Sequence, residues 1–227
     1  MAARAAVRWA KVVLSAACLA PLTFLGWRLA HGTLRPDPVE WLSHTTGLSA
    51  LILILVTLGI TPVRRLTGLH DLIRFRRMLG LWAFAYAVIH FLIYVVFDNS
   101  LSLPSIAEDI VERPYVTVGF AALVLLVPLA VTSTTGWIRR LGGRRWSRLH
   151  QTIYLVAALG VLHFLWLVKL DTREPVLYAT LLVVLLVARL GPAGRRRTRR
   201  TRGRSRGPPR RADRGVGGDI VPAIFEE

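Results

Sequence analysis

Cysteine is almost absent from this sequence, since Cys18 is the only one in 227 residues. A single cysteine excludes an intramolecular disulfide, a CxxC metal or redox site and a CxxCH motif for covalent haem attachment. The motifs GxGxxG, GxxxxGK[ST] and HExxH are missing too, which argues against nucleotide binding and zinc-dependent hydrolysis. No soluble domain is available for a nicotinamide or molybdenum cofactor, so any further redox chemistry must belong to a partner.

Acidic residues are also scarce, with 13 Asp and Glu against 30 Lys and Arg and a net charge of +17. Eleven of the basic residues lie beyond Gly191, most of them in the run GRRRTRRTRGRSRGPPRR. This composition predicts a disordered cytoplasmic tail over 191–227. The tail is either simply solvated or in contact with anionic membrane lipids. Nucleic-acid binding is not expected, because no nucleic-acid-recognition motif accompanies the basic residues.

Long apolar runs, by contrast, are abundant, and hydrophobic residues make up 53% of the chain. Runs of about 20 apolar residues can cross a bilayer as helices. The pattern predicts an all-α integral membrane protein with a six-helix transmembrane bundle over 12–190, after a cytoplasmic N-terminus over 1–11. The predicted spans are about Val12–Ala30, His44–Ile60, Met78–Phe97, Tyr115–Thr132, His150–Val168 and Pro175–Leu190.

The segments between these spans alternate in charge. Residues 61–77 hold five arginines and one acid, and residues 134–149 hold five arginines and no acid. Residues 98–114 hold four acids and one arginine. Because basic loops remain on the cytoplasmic side, we expect both termini in the cytoplasm (N-in/C-in) and the bundle in the cell inner membrane.

Two histidines, His90 and His163, lie deep inside predicted spans, where an ionisable side chain is costly and usually functional. His90 lies 12 residues beyond Met78 and His163 lies 13 residues beyond His150. At a rise of about 1.5 Å per residue, both imidazoles sit roughly 18–20 Å from the same membrane face. For either histidine alone, an interhelical hydrogen bond is the alternative. Two histidines at the same depth on parallel helices indicate instead that they are the axial ligands of a b-type haem. A haem in this position predicts transmembrane electron transfer.

His150 is a third candidate ligand, on the same predicted span as His163 and about 20 Å along it. Such a spacing suits two stacked haems, but Arg76 and Arg77 occupy the positions where the third span would supply the second ligand. His150 could instead ligate together with His70, share the environment of the first haem or bind a different cofactor. Guanidinium has no lone pair, so the arginines suit a haem propionate or a flavin phosphate.

Three stretches carry a resemblance to a known family: WLSHTTGLSALILILVTLGITPVRRL, LIRFRRMLGLWAFAYAVIHFLIYVVFD and GWIRRLGGRRWSRLHQTIYLVAALGVLHFLWLVK. Their order, the six-span plan and the elements RxLG and RLHxxxY resemble the MsrQ (YedZ) family from about residue 10 to 190. This family comprises haem-binding membrane subunits of the periplasmic methionine-sulfoxide reductase system and is ferric-reductase-like. The resemblance places the family's ligand histidines at His90, His150 and His163.

The resemblance implies that the chain is an electron conduit with b-type haem and FMN as cofactors, and is not the catalytic subunit. Electrons would come from the quinone pool or a cytoplasmic flavin reductase. They would leave to an MsrP-type molybdopterin reductase, which repairs methionine sulfoxide in oxidised periplasmic proteins. The FMN phosphate is expected to contact arginines of the basic segments, namely Arg74, Arg76, Arg77 and Arg144.

Two other classes of function remain open on the sequence. A ferric reductase or another quinone–haem oxidoreductase would share the fold and the histidines. A non-redox membrane transporter or scaffold would share only the spans, and its purified form would be colourless.

Overall fold

The computed structural model describes residues 2–32, 36–168 and 171–190, and within them the fold is helical without a strand. Short 3₁₀ turns at His70–Arg74 and His150–Thr152 and a π turn at Tyr94–Asp98 adjoin the longer helices. The helices are α1 (Ala2–Ala30), α2 (Pro38–Thr67), α3 (Arg76–Ile93), α4 (Leu103–Glu112), α5 (Pro114–Val131), α6 (Thr135–Leu149), α7 (Ile153–Leu167) and α8 (Arg173–Leu190).

Helix α2 shows why hydropathy alone misplaces helix ends. The sequence predicts a span over His44–Ile60, yet α2 covers Pro38–Thr67, a length of about 45 Å. The carboxylate of Asp37 accepts a hydrogen bond from the backbone N–H of Glu40 at 2.9 Å and caps the first turn. Gly68, with φ of 73°, ends the helix in the left-handed conformation that glycine adopts most readily. Polar caps, not the apolar run, therefore determine where α2 begins and ends.

The acidic segment 98–114, predicted as a loop, instead contains helix α4. The hydroxyl of Ser102 accepts from the backbone N–H of Ser105 at 3.4 Å and caps the helix. Only one side of α4 packs inward, through Ile106. The prediction of a loop was wrong because a ten-residue helix with three acids gives no hydropathy signal.

The arginine-rich segment 134–149 is likewise helical, as α6, although a loop was predicted. Gly142 has φ of 73° and ψ of 148° and bends the chain inside this segment. The following span, α7, begins at Ile153 and not at His150, which instead opens the 3₁₀ turn. Arginine, leucine and tryptophan all tolerate a helix, so the absence of an apolar run did not mean the absence of a helix.

The helices pack as two tight pairs, α2 with α3 and α5 with α7, and α3 also packs on α5. Small residues lie at the crossings, since Ala83 is 1% exposed and Ala157 is fully buried. Helix α8 joins through Leu182 against α2 and α7. Apolar residues of α2, α3, α5, α7 and α8 form the main core. They include Leu51, Leu55, Leu58, Leu126, Leu129, Val156, Val161 and Phe164.

Among the described residues, five helical segments are long and apolar enough to cross a membrane. They correspond to α1, α2, α3 with its π turn, α5, and α6 joined to α7. Helix α8 carries Arg173, Glu174 and Arg189 within its 18 residues and is not one of the five. The predicted all-α membrane fold is therefore confirmed, while the sixth span and the N-in/C-in orientation stay predictions. The predicted tail over 191–227 lies outside the described residues.

Helix α1 is attached to the bundle through a buried tyrosine. Tyr86 of α3 is 1% exposed, and its hydroxyl donates to the backbone carbonyl of Cys18 at 2.6 Å. A small apolar cluster of Cys18, Ile60 and Leu79 surrounds this contact. Much of the rest of α1 is exposed, as expected for a surface that faces lipid.

Replacing Tyr86 with Phe should lower the free energy of unfolding by about 1 kcal/mol, because the buried hydrogen bond between α1 and α3 is lost. Thermal unfolding in detergent micelles measures the change. Tyr178→Phe is the matched control, because the half-buried Tyr178 makes no hydroxyl hydrogen bond in the described part of the chain. Equal unfolding midpoints for the two variants would contradict the prediction.

Candidate functional site

The structure brings His90 of α3 and His163 of α7 together. Their ring centres lie 6.1 Å apart and the ring planes are inclined by 77°. Two metal–imidazole bonds of about 2 Å each, arranged in line, separate ring centres by roughly 6 Å. The spacing of the two rings is therefore that of two axial ligands on one metal ion.

Each of these rings is oriented by a backbone carbonyl of a neighbouring helix. The Nδ1–H of His90 donates to the carbonyl of Ser43 on α2 at 2.9 Å. The Nδ1–H of His163 donates to the carbonyl of Tyr115 on α5 at 2.7 Å. A carbonyl oxygen only accepts, so Nδ1 carries the proton and the Nε2 lone pair of the neutral ring is left available. Histidines that bind metals are oriented in this way.

Each ring also lies against a glycine. A Cβ added to Gly47 would approach Cε1 of the His90 ring to 3.0 Å and Nδ1 to 3.1 Å. A Cβ added to Gly119 would approach Nδ1 of the His163 ring to 2.7 Å and Cε1 to 2.9 Å. Only a residue without a side chain leaves the rings where they are.

His150 lies apart from this pair, before α7. Its ring stacks on Trp146 with 3.9 Å between centres, and its Nδ1–H donates to the carbonyl of Trp146 at 3.2 Å. Its Nε2 is buried without a hydrogen-bond partner in the described part of the chain. The described residues contain no cluster of three or more histidine, cysteine or acidic side chains. The structure therefore does not bring His150 together with His90 and His163, and its role as a ligand stays a prediction.

The remaining histidines contact other groups. His44 is exposed, and its Nε2 lies 3.7 Å from the carboxylate of Glu174. His31 donates from Nδ1 to the carbonyl of Trp27 at 2.8 Å. His70 is exposed in the 3₁₀ turn before α3. None of the three lies in the histidine pair.

The four arginines expected at a flavin phosphate differ in their surroundings. Arg74 pairs with Asp71 at 3.2 Å on the surface. Arg77 and Arg144 are exposed, and no ion pair holds them in the described part of the chain. Arg76 alone is half-buried and lies close enough to His150 to interact with it electrostatically.

The residues of the pair fit a haem iron. Two neutral imidazoles with protonated Nδ1 atoms present two Nε2 donors, and glycines leave room beside both rings. Sequence reasoning found both histidines but missed the carbonyls of Ser43 and Tyr115 and the role of Gly119. No sequence signal identifies them, because the spacing of four residues between each carbonyl and its glycine has meaning only once the helix that packs beside it is known.

Comparison with known proteins identifies the family of the chain. The model of the family described as "Ferric reductase like transmembrane component" matches residues 43–161, a range that includes His90, Gly119 and His150 and ends just before His163.

Among individual relatives, a protein of Xanthomonas oryzae pv. oryzae is 50% identical over 211 residues, covering 90% of this chain and 95% of its own length. One of Xanthomonas campestris pv. campestris is 52% identical and covers 88% and 93%. One of Rhodospirillum rubrum is 47% identical and covers 84% and 91%. All three are named protein-methionine-sulfoxide reductase heme-binding subunit MsrQ. This extent of identity over nearly the whole length shows that the chain belongs to the MsrQ family of ferric-reductase-like membrane proteins.

Proposed function

We propose that this chain carries electrons through the inner membrane by way of a b-type haem held between His90 and His163. The distance of 6.1 Å between the two ring centres is the observation that carries the proposal. The names of the relatives add that their proteins bind heme and serve a protein-methionine-sulfoxide reductase. The electron acceptor is accordingly a periplasmic MsrP-type molybdopterin reductase.

The chain's own residues supply the positions of the ligands and a low-dielectric surrounding. Haem, when bound, supplies a carrier for one electron. The carbonyls of Ser43 and Tyr115 hold the two Nδ1 protons, so both imidazoles remain neutral donors. Phe91 and Phe120, which follow His90 and Gly119 in the sequence, pack against each other between α3 and α5 with ring centres 5.8 Å apart and add apolar surface there.

Electron input is assigned to the opposite end of the bundle, near His150. His150 stacks on Trp146, and the half-buried Arg76 nearby supplies the positive charge and the N–H donors that suit an anionic aromatic group. The acids of this end do not compete, because Asp71 is already paired with Arg74. FMN, with its flat ring system and its phosphate, meets this chemistry. A quinone headgroup supplied by the membrane is flat but neutral, and it would bind here only by accepting hydrogen bonds. The donor is the quinone pool or a cytoplasmic flavin reductase.

Electron output is assigned to the end that carries α4. Glu108 and Glu112, one turn apart on α4, are both exposed, and the apolar side chains of Leu103 and Val111 on the same helix are 76% and 83% exposed. Asp109 is held by the hydroxyl of Tyr94 at 2.9 Å and faces inward. Complementary charge steers and orients a protein partner, so the acceptor's docking face is basic.

The first test is removal of each proposed ligand. His90→Ala or His163→Ala should abolish most of the Soret absorbance while the protein still inserts, because one axial ligand is lost. The measurement is a reduced-minus-oxidised spectrum with haem quantified per chain. His31→Ala and His70→Ala serve as controls, since both residues lie outside the pair. Full haem retention in either ligand variant would overturn the assignment.

The second test separates the proposed acceptor from a ferric reductase. Proteoliposomes that contain the reduced chain should deliver electrons to a purified MsrP-type enzyme and, more slowly, to an external ferric chelate. The rates of haem reoxidation are compared with each acceptor. Faster reoxidation by the chelate, without any dependence on the enzyme, would favour the ferric reductase.

The third test concerns His150. His150→Ala should slow reduction of the haem by its donor more than it alters the Soret spectrum, because His150 lies about 20 Å of helix away from His163. Stopped-flow reduction and the spectrum are measured on one sample. Complete haem loss in this variant would instead make His150 an essential ligand.

The fourth test is orientation. A reporter enzyme that is active only in the periplasm should be silent when fused after Glu227 and active when inserted near Ser102, since arginine-rich connections remain cytoplasmic. The reverse pattern would invert the direction of electron flow.

A further inference from the structure

The two histidines of the pair are held by the same local arrangement on different helices. On α2, the carbonyl of Ser43 accepts from His90, and Gly47 follows four residues later. On α5, the carbonyl of Tyr115 accepts from a histidine of α7, and Gly119 follows four residues later. In an α-helix the residue at i+4 lies directly beyond the carbonyl of residue i. A ring that reaches this carbonyl from outside must therefore lie against residue i+4.

The nearest atoms explain why that residue is glycine. The three atoms closest to an added Cβ on Gly47 all belong to the His90 ring, at 3.0 to 3.5 Å. The three closest to an added Cβ on Gly119 all belong to the His163 ring, at 2.7 to 3.2 Å. No backbone atom of a neighbouring helix is among them. The small size of these glycines thus serves the rings and not a close approach of two helices.

We propose that Gly47 and Gly119 are positioning residues that set the orientation and the donor strength of the two haem ligands. Each glycine, with the carbonyl four residues before it, forms what we term a carbonyl–glycine seat. The seat holds the Nδ1–H bond of one histidine and thereby fixes its tautomer, its rotation and the basicity of Nε2. The inference rests on the proposed haem ligation and assigns to these two glycines a role that ligation alone does not require.

The two seats differ in strength. The Gly119 seat is tighter, since its carbonyl lies 2.7 Å from Nδ1 and an added Cβ would come equally close to the ring. The ring of His90 has a second acceptor within reach, because the hydroxyl of Ser43 lies 3.4 Å from Nδ1. A methyl group on Gly47 therefore leaves His90 an alternative hydrogen bond. Among the described residues, the carbonyl of Tyr115 is the one acceptor of the Gly119 seat.

The first experiment replaces each glycine with alanine in the full-length protein. Gly119→Ala should weaken haem binding about tenfold or more, the usual effect of losing a partner that orients a ligand. Gly47→Ala should have a smaller effect in the same direction. Gly59→Ala and Gly160→Ala are matched controls, because their added Cβ atoms would meet only leucine side chains at 3.7 and 3.6 Å.

The electronic properties of the haem that remains bound separate a change in the ligand from a change in helix packing. A weaker Nδ1–H bond makes the imidazole a poorer electron donor, so the midpoint potential should rise and the low-spin ferric EPR g-values should shift. Both quantities should stay at wild-type values in the two controls. Unchanged affinity, potential and g-values in both seat variants would overturn the proposal.

A second experiment tests the hydrogen bond of the seat even if Gly119→Ala fails to insert. His163→Gly opens a space that added imidazoles can fill as iron ligands. The isomers 4-methylimidazole and 1-methylimidazole have the same volume, but only the first keeps an N–H on the nitrogen remote from the metal. After correction for their affinities for free haem in the same detergent, 4-methylimidazole should bind about tenfold tighter, because it alone can donate to Tyr115.

The outcomes separate the seat from the ligand assignment. Equal corrected affinities of the two isomers would refute the seat while leaving His163 as a ligand. Full haem binding by His163→Gly without any imidazole would refute the ligand assignment, and with it the proposed function. In His163→Gly combined with Gly119→Ala, the preference for 4-methylimidazole should disappear.

Discussion

Two hydrogen bonds that cross between helices fix the geometry at the centre of this bundle. Each runs from a histidine Nδ1–H to a backbone carbonyl, from His90 to Ser43 and from His163 to Tyr115. A backbone carbonyl in a helix cannot rotate away, so the ring it holds is fixed as firmly as the helix itself. The 6.1 Å between the ring centres, on which the proposed haem ligation depends, follows from these two anchors.

The two ends of the molecule are chemically different, and the difference suits directional electron transfer. One end holds the histidine pair beneath an acidic helix, α4, whose exposed glutamates suit a basic protein. The other end holds His150 on Trp146 beside Arg76, and these suit an anionic aromatic group. A rise of about 1.5 Å per residue puts about 20 Å of helix between His150 and His163. The proposed sites of electron input and output thus lie on separate surfaces.

Much of the fold and the central pair could be predicted from sequence because both rest on strong local signals. Apolar runs of bilayer length stand out from any other composition, and a histidine inside one is rare enough to be informative. Helices α4 and α6 were missed because polar residues that cover a bundle's ends lack such a run. Gly119 could not be ranked above other glycines, because its role depends on which helix packs beside α5. The ion pair between Arg74 and Asp71 could not be predicted either, because a surface ion pair depends on the local backbone geometry.

The positions of these two hydrogen bonds also indicate how ligand binding affects the stability of the bundle. The His90–Ser43 bond lies within the tight pair α2 and α3, and the His163–Tyr115 bond lies within the tight pair α5 and α7. The two rings therefore meet across the boundary between the pairs, where the contact of α3 with α5 is less extensive. A metal held by both rings would join the pairs at that boundary. Because a ligand that binds only the folded state adds its binding free energy to stability, the cofactor would strengthen an interface that the helices pack less extensively than either pair.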